Sequence, residues 1–548
     1  MLHSFSTQKY STDLIFRCIL TSLLSCVMFI SGMAADIVIT SRGAKGDGIT
    51  YNTKLIQQAI DEVSLQGGGR VIIPKGQFLT GPLYLKSNVE LHLMKDAVLL
   101  ASSLRKDYGD EFPISLLKAK DLTNVQITGS GTIDGNGRAL MKDIFKNLEA
   151  GLITDPEWKT KRPTEKNRGH LLWMYNCTGV RVAGVTFKDA TSWVLKLQSS
   201  SKMIFDSIRV ESVAYWNNDG IDLDNCVDVK VLNSHFNTAD DAVCLKSESR
   251  KGICENILVE NCVLRSSASA FKMGTASHGG FKNITVRNIQ VYDTYRSAIA
   301  LEAVDGGIIE NIDISKVYAK NTGNAIFIKL GKRNTDDLYS TVSNIRIRDV
   351  KVEVPSGKPD KGYETEGPVL KYPPSFVIPR DRIFSVSPSN HSTKETNVTL
   401  YPHNVFPSSI TGLPGHPVRN IQLENIEIIY EGDAKKHKTY IPIDSLHMIT
   451  EATDRYPEFS MFGELPAWGI FLRHVDGITM KNVTLKYVKE DFRVPVVLDD
   501  VHHAKLHELQ IPTIAESPAV WIRKSTNISI KKLNTPYPIK DAVKKLDQ

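Results

Sequence analysis

Three carboxylates carry the first chemical signal of this chain: Asp219, in Asn217-Asn218-Asp219-Gly220-Ile221-Asp222, and the pair Asp240-Asp241, in Thr238-Ala239-Asp240-Asp241-Ala242. Written as Asp219-Gly-Ile-Asp-Leu-Asp over Asp241-Ala-Val-Cys-Leu-Lys, the two stretches share a register at 241 − 219 = 22 residues. That interval is about one turn of a parallel β-helix, in which equivalent side chains on stacked strands lie about 4.8 Å apart. Crowded carboxylates disfavour one another's ionised form, so one of the set keeps a proton. A carboxylic acid that protonates a leaving oxygen, beside carboxylates that activate water, is the equipment of glycosidic bond hydrolysis. A lone Asp is better read as a turn residue that bonds neighbouring backbone; an in-register trio is not.

The elements that would hold this trio are legible along most of the chain. The phrase Asn-Ile-x-aliphatic recurs at Asn256, Asn283, Asn311, Asn344, Asn420 and Asn527. Each copy is a short strand of alternating pattern entered through a turn-favouring Asn, and stacked Asn side chains can form a ladder. Strands without intervening helical patterns predict an all-β parallel β-helix, a solenoid, rather than βαβ units. A second strand set aligns from Trp193, Asp219, Asp241, Ser269, Ser297 and Asn324. Its third and fifth positions are apolar and point inward, and its fourth and sixth point out. The outward row then contains Lys196, Gln198, Asp222, Asp224, Lys246, Lys272, Glu302 and Lys329, a mixed-charge wall beside the trio. Asn52 to Val63 has helical apolar spacing and runs into Gly67-Gly68-Gly69, which predicts a capping helix over the N-terminal edge of the solenoid.

Composition sets the outer limits. With 548 residues, 41% hydrophobic and 23% charged, the chain is an ordinary globular sequence. A solenoid extends along one axis, so residues 36–548 are expected to form a single domain, with a Pro-, Ser- and Lys-rich insertion at about 355–417. Residues 1–35 read as an export signal: Lys9 and Arg17, an apolar run from Ile19 to Ile30, then Ser31-Gly32-Met33-Ala34-Ala35. A periplasmic or extracellular location is therefore expected, without a membrane span, since that run is shorter than a bilayer requires. Cys177, Cys226, Cys244, Cys254 and Cys262 lack zinc-type spacing and read as buried thiols. A net charge of +6 from scattered basic residues does not argue for nucleic acid.

The motifs Asn217-Asn218-Asp219-Gly220 and Asp240-Asp241, with the opening Arg42-Gly43-Ala44-Lys45-Gly46-Asp47-Gly48, resemble glycoside hydrolase family 28, the polygalacturonase and rhamnogalacturonan hydrolase family. The resemblance implies a right-handed parallel β-helix that cleaves pectic glycosidic bonds with inversion, as a monomer and without a cofactor or metal. Motif position makes Asp240 the general acid and Asp219 with Asp241 the pair that orients and deprotonates water, with Asn217 as the polar residue that begins the motif. Two family features are missing. Ser269 stands where the family has the His of Gly-His-Gly, and Ala300 and Glu302 stand in place of the Arg and Lys of Arg-Ile-Lys, which grips the galacturonate carboxylate. Lys272 is expected to substitute, assisted by Lys246 and His278; otherwise the subsite takes a neutral sugar whose hydroxyls bond Glu302. Asp222 completes the expected substrate-binding set, and a pectic polysaccharide or oligosaccharide is the expected partner. Two other readings share the architecture. One is a calcium-dependent lyase with Asp219, Asp222, Asp224, Asp240 and Asp241 as oxygen ligands. The other is a glycan-binding β-helix without catalysis.

Overall fold

The structure, a computed structural model, describes residue 1 and residues 35–160, 162–357, 404–436, 441–463, 465–515, 517–537 and 542–546. The expected export signal lies outside these residues except at its two ends, and so does most of the insertion. The described strands pair in parallel through one continuous ladder, wound as a right-handed β-helix.

Apolar side chains stack in single file along its interior. Leu195 pairs with Ile221, Ile221 with Val243, Val243 with Phe271, Phe271 with Ile299 and Ile299 with Ile326. The next inward position repeats this with Leu197, Leu223, Leu245, Met273, Leu301 and Ile328. All are buried, and each contributes roughly 1.5–3 kcal/mol of transfer free energy. Because a slip of one residue would turn every one of them outward, the register that stacks the carboxylates is fixed by the core. One coil departs from the alignment: a bulge between Leu245 and Ser247 pairs Ser247 with Ser277.

The turn asparagines form the expected ladder. Asn256, Asn283, Asn311, Asn344 and Asn420 all have φ between 54° and 58°, and the Nδ2 of Asn311, Asn344 and Asn420 donates to the preceding Oδ1 at 3.2, 3.2 and 3.1 Å. Asn tolerates this left-handed backbone and bonds locally. Asn311→Ala is expected to cost about 1–2 kcal/mol, the lost bonds plus left-handed strain. Asn311→Gly, which keeps the backbone relaxed, should cost less. Urea unfolding midpoints of the two variants decide this, and equal midpoints for both variants and the parent would remove the ladder from the account of stability.

The capping helix spans Thr53–Leu65 and buries Ile56, Ala59, Ile60 and Val63 against the first coils. A second helix, Gly137–Glu149, was not expected from the sequence. Its apolar face, Leu140, Met141, Ile144, Phe145 and Leu148, packs on Tyr108, Tyr215 and Trp216, and so braces the turn that enters Asp219. The ladder also resumes earlier than the expected end of the insertion at 417. Ser408–Thr411 already pairs with Phe327, Ile328 and Lys329; with one apolar residue in four, that strand carries little pattern.

Candidate active site

The turn before Asp219 is held by Asn218, which is fully buried. Its Oδ1 accepts from Ala214 N, Tyr215 N and Ser212 Oγ at 3.0–3.1 Å, and its Nδ2 donates to the carbonyls of Ala190 and Ser192. Gly220 lets the two acidic coils approach: a Cβ there would lie 2.4 Å from Ala242 O and 2.7 Å from the Phe236 ring. Gly220 N donates to Asp241 O at 2.9 Å, so the spacing read from the sequence becomes a direct backbone contact. Arg168, buried on an earlier coil, donates to Asn217 Oδ1 at 3.0 Å, and Asn217 Nδ2 donates to Asp240 Oδ2 at 3.3 Å.

One carboxylate oxygen from each of Asp219, Asp240 and Asp241 lies within 4.8 Å of the others. Asp219 and Asp241 are buried, whereas Asp240 is half-buried. Two lysines interleave with the acids. Lys246 Nζ stands 2.8 Å from Asp222 and 3.5 Å from Asp219. Lys272 Nζ stands 2.9 Å from Asp241 Oδ2, 3.8 Å from Glu302 and 3.2 Å from Tyr456 OH. Asp241 Oδ1 accepts Ser269 N at 2.9 Å. The residue in place of the family histidine thus holds a catalytic candidate through its backbone.

Burial, with Asp222 and Asp240 close by, pushes Asp219 well above the ordinary carboxylate range against the pull of Lys246. Burial also raises Asp222 to about 7 and Glu302 to about 7, opposed by Lys246 and Lys272 respectively. It pulls Asp241 the same way, but Lys272, Lys246 and Arg296 outweigh it and leave Asp241 below its ordinary value. Burial would strip both ammoniums of their protons, yet Asp222, Cys244 and Asp219 around Lys246 hold it well above its ordinary value. Asp241, Tyr456 and Glu302 do the same for Lys272. Burial and the neighbouring carboxylates thus favour the neutral form of Asp219, whereas the surrounding cations favour the ionised form of Asp241.

The structure gathers Asn217, Asp219, Asp222, Asp240, Asp241, Lys246, Lys272 and Glu302. His278 stands apart, half-buried in a turn where its backbone N donates to Ser247 O and its charge acts on Asp305. Lys272, the residue expected to replace the missing clamp, has its ammonium among Asp241, Tyr456 and Glu302. Asp224 leaves the proposed calcium ligand set. Its oxygens accept from Gln198 Nε2 and Glu248 N, and the Lys246 ammonium already stands beside Asp219 and Asp222. Inverting hydrolases commonly space acid and base about 6.5–9.5 Å apart; the nearest oxygens of this trio, within 4.8 Å of one another, are closer.

Two residues escaped the sequence reading. Arg296 lies 3.6 Å from Glu458 and its guanidinium 5.9 Å from the Tyr456 ring centroid, and its charge acts on Asp241. Trp193 stands on the preceding coil, where Val194 N donates to Asp219 O, with Lys196 and Lys246 at 4.3 and 4.5 Å from its ring centroid. Its place in the alignment was visible beforehand; its cation-flanked ring was not. All five described cysteines are free and buried. Among the described residues no helix is long and apolar enough to cross a membrane.

The description Glycosyl hydrolases family 28 matches residues 66–364. An exo-poly-alpha-D-galacturonosidase of Dickeya chrysanthemi is 28% identical over 320 residues, 50% of this chain and 53% of that protein. A "Probable polygalacturonase" of Vitis vinifera is 28% identical over 323 residues, 55% of this chain and 58% of that protein. The match thus spans between half and three-fifths of these relatives. In fold, the chain is similar to a hyperthermoactive exopolygalacturonase of Thermotoga maritima, at 23% identity and a TM-score of 0.51, covering 76% of this chain and 91% of that one.

Proposed function

Because the chain belongs to Glycosyl hydrolases family 28, we propose that it hydrolyses glycosidic bonds of a pectic polysaccharide or oligosaccharide, of galacturonan or rhamnogalacturonan type, with carboxylates as its chemical groups. The observation that carries this reading is the gathering of three carboxylates within 4.8 Å, one half-buried and two buried. Asp240, the half-buried member, donates its proton to the leaving oxygen. Asp241, kept ionised by Lys272, and Asp219, whose Oδ1 accepts no hydrogen bond from the protein, orient the attacking water and take its proton. The short separation means that the water is held to one side of the trio rather than between opposed walls, and inversion remains the proposed outcome. Export to the periplasm or the outside of the cell, through a signal in residues 1–35, belongs to the same proposal.

The experiment is incubation with homogalacturonan, rhamnogalacturonan and their oligosaccharides, with products separated by chromatography and the first-formed anomer assigned by NMR. New reducing ends are expected, with inverted configuration. Since Asp219 must lose its proton to act, the rate is expected to rise with pH at values above the ordinary carboxylate range. An unsaturated product, or loss of activity on chelation, would select the lyase. Absence of cleavage in every polymer would return the chain to a binding role.

A further inference from the structure

From the burial and bonding of the lysines on the outward wall we infer that Lys196 holds the carboxylate of a uronic acid unit beside Asp219 and Asp222, and so makes that carboxylate a group by which the protein selects its substrate. This rests on the hydrolytic reading above. The other lysines of the row have bonded ammoniums. Lys246 donates to Cys244 Sγ and Asp219 Oδ2 at 3.2 and 3.5 Å, Lys272 to Asp241 Oδ2 at 2.9 Å, and Lys329 to the carbonyl of Glu451 at 2.9 Å. Lys196 is 7% exposed and makes no hydrogen bond to any described residue. Its ion-pair partner, Glu165 Oε2, stands 3.6 Å away, beyond hydrogen-bond reach. The Trp193 ring at 4.3 Å offsets part of the lost hydration, but the three N–H groups of the ammonium stay unfilled.

An ammonium stripped of water gains most from an anion, because charge-assisted bonds are roughly twice as strong as neutral ones. The acids around Lys196 do not saturate it. Glu165 is divided between Lys196 and His170 Nε2, at 3.6 Å from each. Burial raises Asp222 to about 7 and holds Glu248 above its ordinary value, which biases both towards the neutral form in mildly acidic solution. Solvent reaches this place, since Glu165, Trp193 and Gln198 are half-buried and Glu248 is exposed. Beyond the trio, by contrast, the wall is filled: Lys272 and Glu302 are both buried, and Lys272 bonds Tyr456. Val194 N donates to Asp219 O at 2.8 Å, and Lys196 pairs with Asp222, so one coil spacing, about 4.8 Å, separates Lys196 from the acids. Lys196 therefore grips from the opposite side of the trio to Ala300 and Glu302, where the Arg and Lys of Arg-Ile-Lys are absent.

The test uses the shortest oligomers cleaved in the galacturonan and rhamnogalacturonan series, each with its carboxylates free and methyl-esterified. The parent is expected to prefer the free acid by about 10- to 100-fold in kcat/KM, mainly through KM, the range of a hydrogen bond to a charged group. Lys196→Met should cancel that preference. Lys196→Gln, which keeps a donor without the charge, should cancel it too. A parent without the preference, or a preference that survives in both variants, would overturn the assignment and leave hydrolysis standing. If no oligomer is cleaved, the hydrolytic reading fails by itself, and calorimetric binding of the same pairs to the parent and to Lys196→Met decides the site. A free-acid preference confined to the parent then supports Lys196, and equal binding of acid and ester by the parent overturns it. The comparison of acid with ester in the parent needs no substitution, so it holds even where a variant fails to fold.

Discussion

An Asp240→Asn variant is expected to lose about a thousandfold in kcat, the range general acid catalysis supplies, while remaining folded. The substitution keeps the shape of the side chain and the oxygen that accepts Asp241 N at 2.9 Å. Thr238 Oγ1 at 2.6 Å and Ser266 Oγ at 2.7 Å donate to the Asp240 carbonyl and are untouched, and only the 3.3 Å bond from Asn217 Nδ2 to Oδ2 is lost. Because Asp240 is only partly buried, solvent can reach the new amide, and its unfolding free energy should stay within about 1 kcal/mol of the parent. A sugar carrying a leaving group that needs no proton separates chemistry from structure: it should be cleaved at nearly parental rate by Asp240→Asn. Equal loss on natural and activated substrates would reject Asp240 as the acid.

Lys272→Met should be the more damaging change to the fold. The ammonium lies among Asp241, Glu302 and Tyr456 and is itself buried. Removing it strands two buried carboxylates, a loss of about 3–5 kcal/mol. The pH dependence follows from linkage. In the parent, Asp241 titrates below its ordinary value because Lys272, Lys246 and Arg296 outweigh burial. Without Lys272 the largest of these opposing charges is gone, and the folded-state value of Asp241 moves up. Glu302, already raised to about 7 by burial, moves further in the same direction. Groups raised in the folded state favour folding below the unfolded value and lose that contribution as pH rises through the folded one. Melting at pH 5 and pH 8 should therefore show the larger deficit at pH 8. Adding Glu302→Gln to Lys272→Met should recover part of it, because one stranded charge is gone. A deficit that is equal at both pH values would mean that lost packing, not charge, accounts for the effect.

Much of this architecture was readable before any coordinates. Inward apolar positions two residues apart, repeated at the coil interval, forced Leu195, Ile221, Val243 and their successors into one stack. Where the reading failed, the interaction is not periodic. The bulge at Leu245–Ser247 inserts residues into one coil only, so counting positions could not place His278. Helix Gly137–Glu149 had a helical apolar face, but nothing local showed that it would brace Tyr215 and Trp216. Arg296 and Tyr456 are 456 − 296 = 160 residues apart, and no pattern within either segment announces their meeting.

The sequence by itself determined the solenoid, the burial of alternate side chains and the stacking of Asp219 over Asp241, because all three follow from a repeat in which each strand constrains only its neighbours. Tertiary structure decided how each acid is used. Whether a carboxylate in that stack keeps or loses its proton depends on burial and on ammoniums delivered by other coils, as Lys272 does for Asp241. Which coils are covered depends on where residues 441–463 come to rest on them. Both are properties of distance in space, to which distance along the chain is no guide.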